Sequence, residues 1–140
     1  MDSDTFLQVQ KNLLKNIDEI KETLKRKNLL NAPDTGKTIE RMKYLLYSIT
    51  KTLIDIGHGI ILEKDLPQPR NRADIFICLA ELEIIMSNIV PGVKKAVIAF
   101  PKMSTYSPED TVRLVTSSIG DLHACLDSFA AYFTVRDTSI

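Results

Sequence analysis

The sequence predicts an all-α fold, an up-and-down bundle of about five helices, and two observations carry this prediction. Two long segments place an apolar residue at every third or fourth position, which keeps the apolar side chains on one stripe of an α-helix. These two apolar ladders are Ile39, Met42, Leu46, Ile49, Leu53, Ile56 and Ile60, and Val112, Val115, Ile119, Leu122, Leu126, Phe129 and Phe133. No strand-like alternation or internal repeat competes with this pattern in the sequence.

The two ladders predict long core helices at residues 36–64 and 107–135. Isolated helices of this kind are only marginally stable, so each must lay its stripe against partners in nearly antiparallel packing. Leu45, Ile54 and Ile61 widen the first stripe beyond its ladder. We therefore expect a homodimer formed through the long helices, because this is more apolar surface than one small bundle needs.

Segments before and after the long second helix define its neighbours. The first helix is expected to begin after Asp4 and to run to about Lys27, with one apolar face and one face of mixed charge that is typical of solvent exposure. A linker rich in turn residues at 31–36 separates it from the second helix. The proline-containing segment 66–69 ends that second helix.

Capping residues predict where the three remaining helices begin. Asn71 is expected to cap the third helix. Ser87 is expected to cap a fourth helix, which tolerates Pro91 in its first turn and ends or kinks at Pro101. This helix is expected to bury Val93, Val97 and Ile98. Ser107 is followed by proline and two acids, which together predict the start of the last helix.

Composition argues against several classes of function. Eighteen basic residues balance eighteen acidic ones, so no overall attraction to nucleic acid or to an anionic membrane is expected. The acidic start of the chain does not resemble a secretory signal, and the longest uncharged stretches are too short to span a bilayer. Cys78 and Cys125 stand among apolar residues, which favours buried free thiols over a disulfide. We expect one cytoplasmic domain, residues 1–140, without membrane contact.

Neither histidine belongs to a complete catalytic or metal motif. His58 lies between Gly57 and Gly59 in the second helix, where each glycine costs about 1 kcal/mol relative to alanine and so predicts the close approach of another helix. No second ligand follows His58 by three or four residues, so we expect no metal and favour a structural or weakly functional role. His123 stands one turn before Asp127, which favours a surface ion pair over a catalytic pair.

Two basic groups are weak candidates for binding a phosphate or an RNA. Arg70 and Arg72 stand at a helix start, where amides and guanidinium groups together can hold an anion, although a solvated loop is the favoured interpretation. Lys94, Lys95 and Lys102 form the second group, with aromatic residues nearby that can stack on bases. Here too we favour a solvated helix face, and neither group predicts a cofactor.

A diffuse sequence pattern extends over residues 38–133. It begins at 53–57 with an apolar pair, an aspartate, an apolar residue and a glycine. It continues through a proline loop into an acid, a phenylalanine, Leu-Ala-Glu and a short apolar run. The residues concerned are Leu66, Pro69, Asp74, Phe76, Leu79, Ala80, Glu81, Ile84 and Ile85. With the long helix after Ser107, this order resembles the HepT-like family of all-α proteins in the HEPN superfamily.

The resemblance implies a homodimeric helical bundle that is often encoded beside a minimal nucleotidyltransferase as toxin and antitoxin. Active members of the family are ribonucleases. Their motif is Arg, usually Asn, three further residues, His, another residue and Tyr. The family's arginine and histidine sit at a cleft formed by the dimer, and the partner enzyme silences the toxin by adenylylating the tyrosine.

This chain departs from the family at the ribonuclease motif, which should fall within residues 99–108. Pro101 takes the arginine position, Tyr106 the histidine position and Pro108 the tyrosine position. Lys102 could replace part of the missing positive charge, but tyrosine, with an ordinary pKa of about 10, is a poor base near neutral pH. The resemblance therefore implies that the chemistry of the active toxins does not transfer to this chain.

We predict a non-catalytic HepT-like protein that acts through protein–protein contacts, with a nucleotidyltransferase as a candidate partner and with no metal or cofactor. One alternative is a metal-independent endoribonuclease toxin with a rearranged site, in which Lys102, Tyr106 and His58 are the candidate catalytic residues. The other is a helical module that binds a nucleotide or an RNA without cleaving it. Its candidate ligand-binding residues are Arg70, Arg72, Lys94 and Lys95.

Overall fold

The computed structural model describes residues 1–138, and all regular secondary structure within them is helical. The five α-helices are α1 (Ser3–Leu24), α2 (Thr35–Glu63), α3 (Arg72–Glu81), α4 (Val90–Ala99) and α5 (Pro108–Thr138). Short 3-10 turns at Ser87–Ile89 and Phe100–Thr105 precede and follow α4. The all-α class and the number of helices are confirmed. Each long core helix begins within a residue of its predicted start, and α5 ends at Thr138 rather than at residue 135.

Local capping chemistry sets several of these boundaries. Asn71 Oδ1 accepts a hydrogen bond from the Asp74 N–H at 3.0 Å, as predicted for the start of α3. Ser107 Oγ accepts one from the Asp110 N–H at 3.1 Å at the start of α5. The prediction for Ser87 is wrong, since this residue opens a 3-10 turn and α4 begins at Val90 without a side-chain cap. Pro91 follows Val90 and lies in the first turn of α4, where its missing N–H removes no hydrogen bond of the helix.

Helices α2 and α3 both end in a residue with left-handed backbone conformation, although neither residue is glycine. Asp65 follows α2 with a φ of 55°, and Glu83 follows α3 with a φ of 60°. The next N–H in each case reaches back to close the end of the helix, to Ile61 O at 3.2 Å and to Leu79 O at 2.9 Å. The carboxylate residues therefore occupy positions at which glycine is usually found.

The apolar ladders form the core of the bundle. Every member of the first ladder is buried, and every member of the second is buried except Val112, which is half-buried. Leu45, Ile54 and Ile61 are also buried within the single chain. These three side chains therefore provide no exposed apolar surface for a second copy, contrary to the expectation, because α2 is covered on several sides by its own bundle. The dimer itself stays a prediction.

Contacts along the long helices give their relative directions. Glu19 of α1 pairs with Arg41 of α2, close to the turn that joins the two helices, so these helices are antiparallel. Phe6 at the start of α1 stacks on Phe133 near the end of α5, so α1 and α5 are antiparallel as well. Since α1 opposes both, α2 and α5 run in the same direction. The predicted antiparallel packing is therefore found for α1 with α2 and for α1 with α5. The same prediction is wrong for α2 with α5, the two helices that carry the apolar ladders.

Glycines in α2 and α4 differ in what surrounds them. A Cβ added at Gly57 would lie 3.0 Å from side-chain atoms of Ile75 and Leu79 in α3, which confirms the expected close approach at this position. Gly59 has nothing within 4 Å of such a Cβ, so the same expectation is wrong there. A Cβ at Gly92 would collide with the Asp121 carboxylate and lie 2.9 Å from Asp121 Cβ, so α4 and α5 approach each other closely at this residue.

Helix α2 is long and apolar enough to cross a membrane when judged by length and composition alone. Its most apolar stretch is 56% buried inside the bundle, and a core helix of a helical bundle passes the same test. This stretch contains charged residues, so the uncharged runs are short, as predicted from the sequence. The burial accounts for the apolar character of α2.

Candidate functional site

The segment that takes the place of the ribonuclease motif forms the 3-10 turn Phe100–Thr105 and the start of α5. Its side chains point in different directions: Lys102 is exposed, Met103 is buried, and Tyr106 is half-buried against the core. Lys102 interrupts the turn with a φ of −126°. Lys102 and Tyr106 are close in sequence, but no hydrogen bond joins their side chains.

Neither histidine lies near this segment within one chain. Lys43 of α2 donates a hydrogen bond to Ser104 O at 3.4 Å, which fixes the turn beside the first half of α2. His58 stands fifteen residues further along α2, about 22 Å away at about 1.5 Å per residue. His123 lies on α5, where its Nδ1 accepts from Lys21 Nζ at 2.5 Å. An imidazole and Tyr106 do not share a site in the single chain.

His58, Arg70 and Arg72 do meet, in a feature that we call the basic cleft. This cleft has a volume of about 540 Å³ between α2, the segment after it and the first turn of α3. Its lining residues are Ile54, Asp55, His58, Gln68, Pro69, Arg70, Asn71, Arg72 and Ile75. The sequence suggested these cations and this histidine as separate weak candidates, and the fold brings them together.

Hydrogen bonds and ion pairs hold the acid and the imidazole of the basic cleft in place. His58 Nε2 donates to Gln68 Oε1 at 2.6 Å, because an amide oxygen can only accept. Asp55 Oδ2 pairs with Lys51 Nζ at 3.0 Å. The one carboxylate that lines the cleft is thus paired with a cation outside the cleft lining. Arg70 and Arg72 form no ion pair with any residue in the part of the chain that the structure describes.

Arg72 is held by an aromatic contact rather than by an acid. Its Cζ lies 5.2 Å from the centre of the Phe100 ring. The Phe100 ring in turn stacks on Tyr47 of α2, with the ring centres 4.5 Å apart and the planes 13° apart. The contact of Tyr47 with Phe100 was not predicted from the sequence, and neither ring lines the basic cleft. The available signal was an aromatic residue on the polar side of the α2 ladder.

A second open surface, the α3–α4 groove, lies between the two short helices. Its volume is about 750 Å³, and its lining is mostly apolar. The residues that matter here are Ile77, Val90, Pro91 and Ile98, with the charged residues Glu81, Lys94 and Lys95. Glu81 stands on the α3 wall, and both lysines stand on the α4 wall. The lysines were predicted from the sequence, and Ile77 was not. The prediction that Ile98 is buried is wrong, since its side chain is 55% exposed.

This groove continues past the end of α3. Ala80 and Ser87 line both the groove and an adjoining cleft that includes Ile84 and Met86. Ile98 of the groove is 55% exposed and Met86 of the adjoining cleft is 63% exposed, so each part contains an exposed apolar side chain. Lys102 does not line either part. The three lysines that the sequence grouped together therefore divide between the groove and the turn after α4.

Shifted pKa values are found at groups that join the ends of α2 and α5. Tyr132 O–H donates to Glu63 Oε2 at 2.5 Å, and Arg136 pairs with the same carboxylate, so α5 is tied to the end of α2. The hydrogen bond from Tyr132 lowers the pKa of Glu63 below its ordinary value. Partial burial, helped by Glu63, raises the pKa of Tyr132 to about 12. Both cysteines are free thiols as expected, but only Cys125 is fully buried and Cys78 is half-buried. Burial raises the pKa of Cys125 to about 12, which disfavours the reactive thiolate.

No group of three or more potential ligands that could hold a metal ion is found within residues 1–138. The fold and its surfaces define the class of protein: an all-α helical bundle with an open basic cleft on one side of α3 and an open apolar groove on the other. Comparison with known proteins finds no matching family model, no similar curated protein and no similar solved structure. The likeness to the HepT-like family rests on the sequence pattern alone.

Proposed function

We propose that this protein is a non-catalytic, HepT-like bundle that forms a homodimer and acts through protein–protein contacts. The observation that carries the proposal is the α3–α4 groove, an apolar surface whose two walls bear unpaired charges of opposite sign. An exposed apolar patch of this kind is typical of a protein–protein interface. The occupant that we assign to the groove is a second copy of this chain.

Opposite charges on the two walls support the choice of a second copy. In a two-fold dimer, each residue that contacts a residue of the partner receives the same contact in return. A two-fold axis that runs along the groove would set the α3 wall of one subunit against the α4 wall of the other. Glu81 would then meet Lys94 and Lys95 of the partner. None of these three side chains has an ion-pair partner among the residues described for the single chain. A stable dimer would bury at least about 1,000 Å² in total.

The oligomeric state in solution tests the dimer and its location together. We expect sedimentation at micromolar concentration to give a dimer for the parent chain, and Ile98→Glu to give mainly the 15.8 kDa monomer. The matched control is Leu62→Glu, because Leu62 on α2 is also 55% exposed but lies outside the groove. Dissociation by Leu62→Glu instead of Ile98→Glu would place the interface on α2 and contradict the proposal. A parent chain that sediments only as a monomer would exclude the dimer altogether.

A charge exchange then tests the pairing of the two walls. We expect Glu81→Lys alone to weaken the dimer by about tenfold, since it sets like charges against each other across the interface. The double variant with Lys95→Glu should recover most of the loss, because the opposite charges face each other again. Loss without recovery would mean that these residues do not meet across a two-fold axis.

The non-catalytic part of the proposal is supported by the turn at Phe100–Thr105. RNA cleavage of this kind requires a proton-transfer group near neutral pKa and a cation to stabilise the developing charge, and each absence costs about 10²-fold or more. Both histidines lie away from the turn within one chain. We therefore expect no discrete cleavage when the purified protein is incubated with total RNA in the presence of a chelator.

Two substitutions make the cleavage assay decisive. Lys102→Ala and Tyr106→Phe remove the cation and the hydroxyl that remain in the segment. Cleavage that both substitutions abolish would favour the alternative, a ribonuclease toxin with a rearranged site. Cleavage that neither affects would point to a contaminant or to another site.

A nucleotidyltransferase remains the partner enzyme that the family resemblance suggests. The departure at residues 99–108 removes the tyrosine that such an enzyme would modify, so any contact would have to be a binding contact. Co-purification of the tagged chain with a minimal nucleotidyltransferase encoded beside it would support this partner. Incubation with that enzyme and ATP should leave the mass of the chain unchanged, and an added adenylyl group would contradict the proposal.

A further inference from the structure

We propose that the basic cleft binds a phosphate group of a small molecule, a phosphate monoester or a diphosphate. This proposal does not depend on the dimer or on the absence of ribonuclease activity. The cleft's volume, about 540 Å³, lies within the range of about 300–1,000 Å³ that is typical of small-ligand pockets. The residues that carry the proposal are Arg70, Arg72 and His58, and each lines the cleft.

The charge balance of the cleft favours an anion. Arg70 and Arg72 both face it and have no acidic partner within residues 1–138. Asp55 is the one acid in the lining, and its carboxylate is already bound by Lys51 at 3.0 Å. The guanidinium groups therefore keep their full hydrogen-bonding capacity, which suits the oxygens of a phosphate.

The surroundings of the cations reduce the cost of ordering them around a ligand. The contact between Arg72 and the Phe100 ring restrains the guanidinium without neutralising it. Asn71, which caps the start of α3, also lines the cleft, so the cleft borders the N-terminal end of that helix. Two arginines and a helix start thus border one cleft.

A small ligand fits these observations better than an RNA chain. A nucleic-acid surface needs a stripe of cations to follow the backbone, whereas this chain has no net charge and Arg70 and Arg72 are the only lysine or arginine residues among the cleft's described lining residues. The lysines at 94 and 95 line the α3–α4 groove instead. The cleft provides enough positive charge for one or two phosphate groups.

Calorimetric titration with inorganic pyrophosphate at low ionic strength tests the site. We expect the parent chain to bind, and Arg70→Gln and Arg72→Gln each to weaken binding by about tenfold or more. Arg70→Lys should recover only part of the affinity, because lysine keeps the charge but not the two-pronged geometry. The matched control is Lys11→Gln, which removes an exposed cation of α1 that does not line the cleft.

The outcomes that would overturn the proposal are distinct. No binding of pyrophosphate by the parent chain would exclude the site. Equal weakening by Lys11→Gln and by the arginine variants would show general attraction to charge rather than a cleft. A parallel titration with an eight-nucleotide single-stranded RNA separates the ligand classes, since binding of the RNA without binding of pyrophosphate would assign the cleft to a nucleic acid. Arg70 is exposed and forms no hydrogen bond, ion pair or ring contact among residues 1–138, so we expect Arg70→Gln to leave the fold intact, and the thermal unfolding midpoint of this variant checks that.

Discussion

The long helices α2 and α5 bury their apolar ladders almost completely within one chain, whereas the short helices α3 and α4 bury one face and leave apolar residues exposed on the other. Leu53 and Leu122 are at most 1% exposed, but Ile98 is 55% exposed. The same residue type therefore serves two purposes in this fold. The ladder residues of the long helices hold the bundle together, and Ile98 on the outer side of α4 remains exposed.

The largest expected effect concerns the long helices. Leu53→Ala and Leu122→Ala each remove a buried side chain and should reduce the free energy of unfolding by about 2–5 kcal/mol, measured by urea denaturation. Ile98→Ala and His58→Ala are the comparison on exposed positions, where we expect changes within about 0.5 kcal/mol. An Ile98→Ala loss as large as that of Leu53→Ala would remove the distinction between the two pairs of helices.

The contact between a short and a long helix should give the next largest effect. Gly92→Ala places a methyl group against Asp121 Cβ on α5, and the backbone of α4 must move to make room. We expect a loss of about 1–3 kcal/mol in the free energy of unfolding. The double variant with Asp121→Ala should recover part of the loss, because it removes the carboxylate atoms nearest to the added methyl group and leaves Asp121 Cβ in place. Full recovery would show that the carboxylate alone occupies the space.

A pair of glycines on α2 separates its packed side from its exposed side. Gly59→Ala should stabilise the protein by about 0.5–1 kcal/mol, because alanine favours the helix and the added methyl group meets nothing. Gly57→Ala should gain less or be destabilising, since its methyl group would crowd Ile75 and Leu79 of α3. Thermal unfolding of both variants measures the difference, and equal gains would mean that α3 yields at no cost.

The smallest effect concerns pH and the link between the ends of α2 and α5. The pKa of Glu63 is lowered in the folded state, so its contribution to stability is present above the ordinary glutamate pKa and is lost as pH falls through the lowered value. Glu63→Gln should therefore destabilise the protein at pH 7 and converge with the parent in acid. Asp18→Asn is the control, because this exposed carboxylate forms no ion pair or side-chain hydrogen bond in the described part of the chain. A parent-to-variant difference that does not shrink as pH falls would contradict this account.

The ladders and the caps were predictable from the sequence because both depend on residues within a few positions of each other. The ladder spacing fixes which side chains lie inward, and Asn71 and Ser107 cap their own helices. The parallel course of α2 and α5 was not predictable, since periodicity identifies a buried face but not the helix that covers it. For the same reason, Leu45, Ile54 and Ile61 were wrongly expected to contact a second copy, although they are buried within the single chain.

The two candidate surfaces depend on contacts between residues that are distant in sequence or on separate helices. The basic cleft joins His58 to Arg70 and Arg72 through the path of the chain between α2 and α3, which no local pattern encodes. The contact of Arg72 with Phe100 and of Phe100 with Tyr47 likewise joins three helical segments. Cation-rich positions were visible in the sequence, but their convergence required the fold.

Asp65 and Glu83, which end α2 and α3 with a positive φ, have a consequence for evolution. A left-handed backbone costs a residue with a side chain about 1 kcal/mol more than it costs glycine. A single codon change would supply glycine at either position, and the chain has not adopted it. Natural sequences are selected to remain above a threshold of stability and not to reach a maximum. Replacement of Asp65 or Glu83 by glycine is therefore a stabilising change that drift or directed evolution could use to offset a destabilising mutation elsewhere. Neither replacement removes a cation of the basic cleft or of the α3–α4 groove.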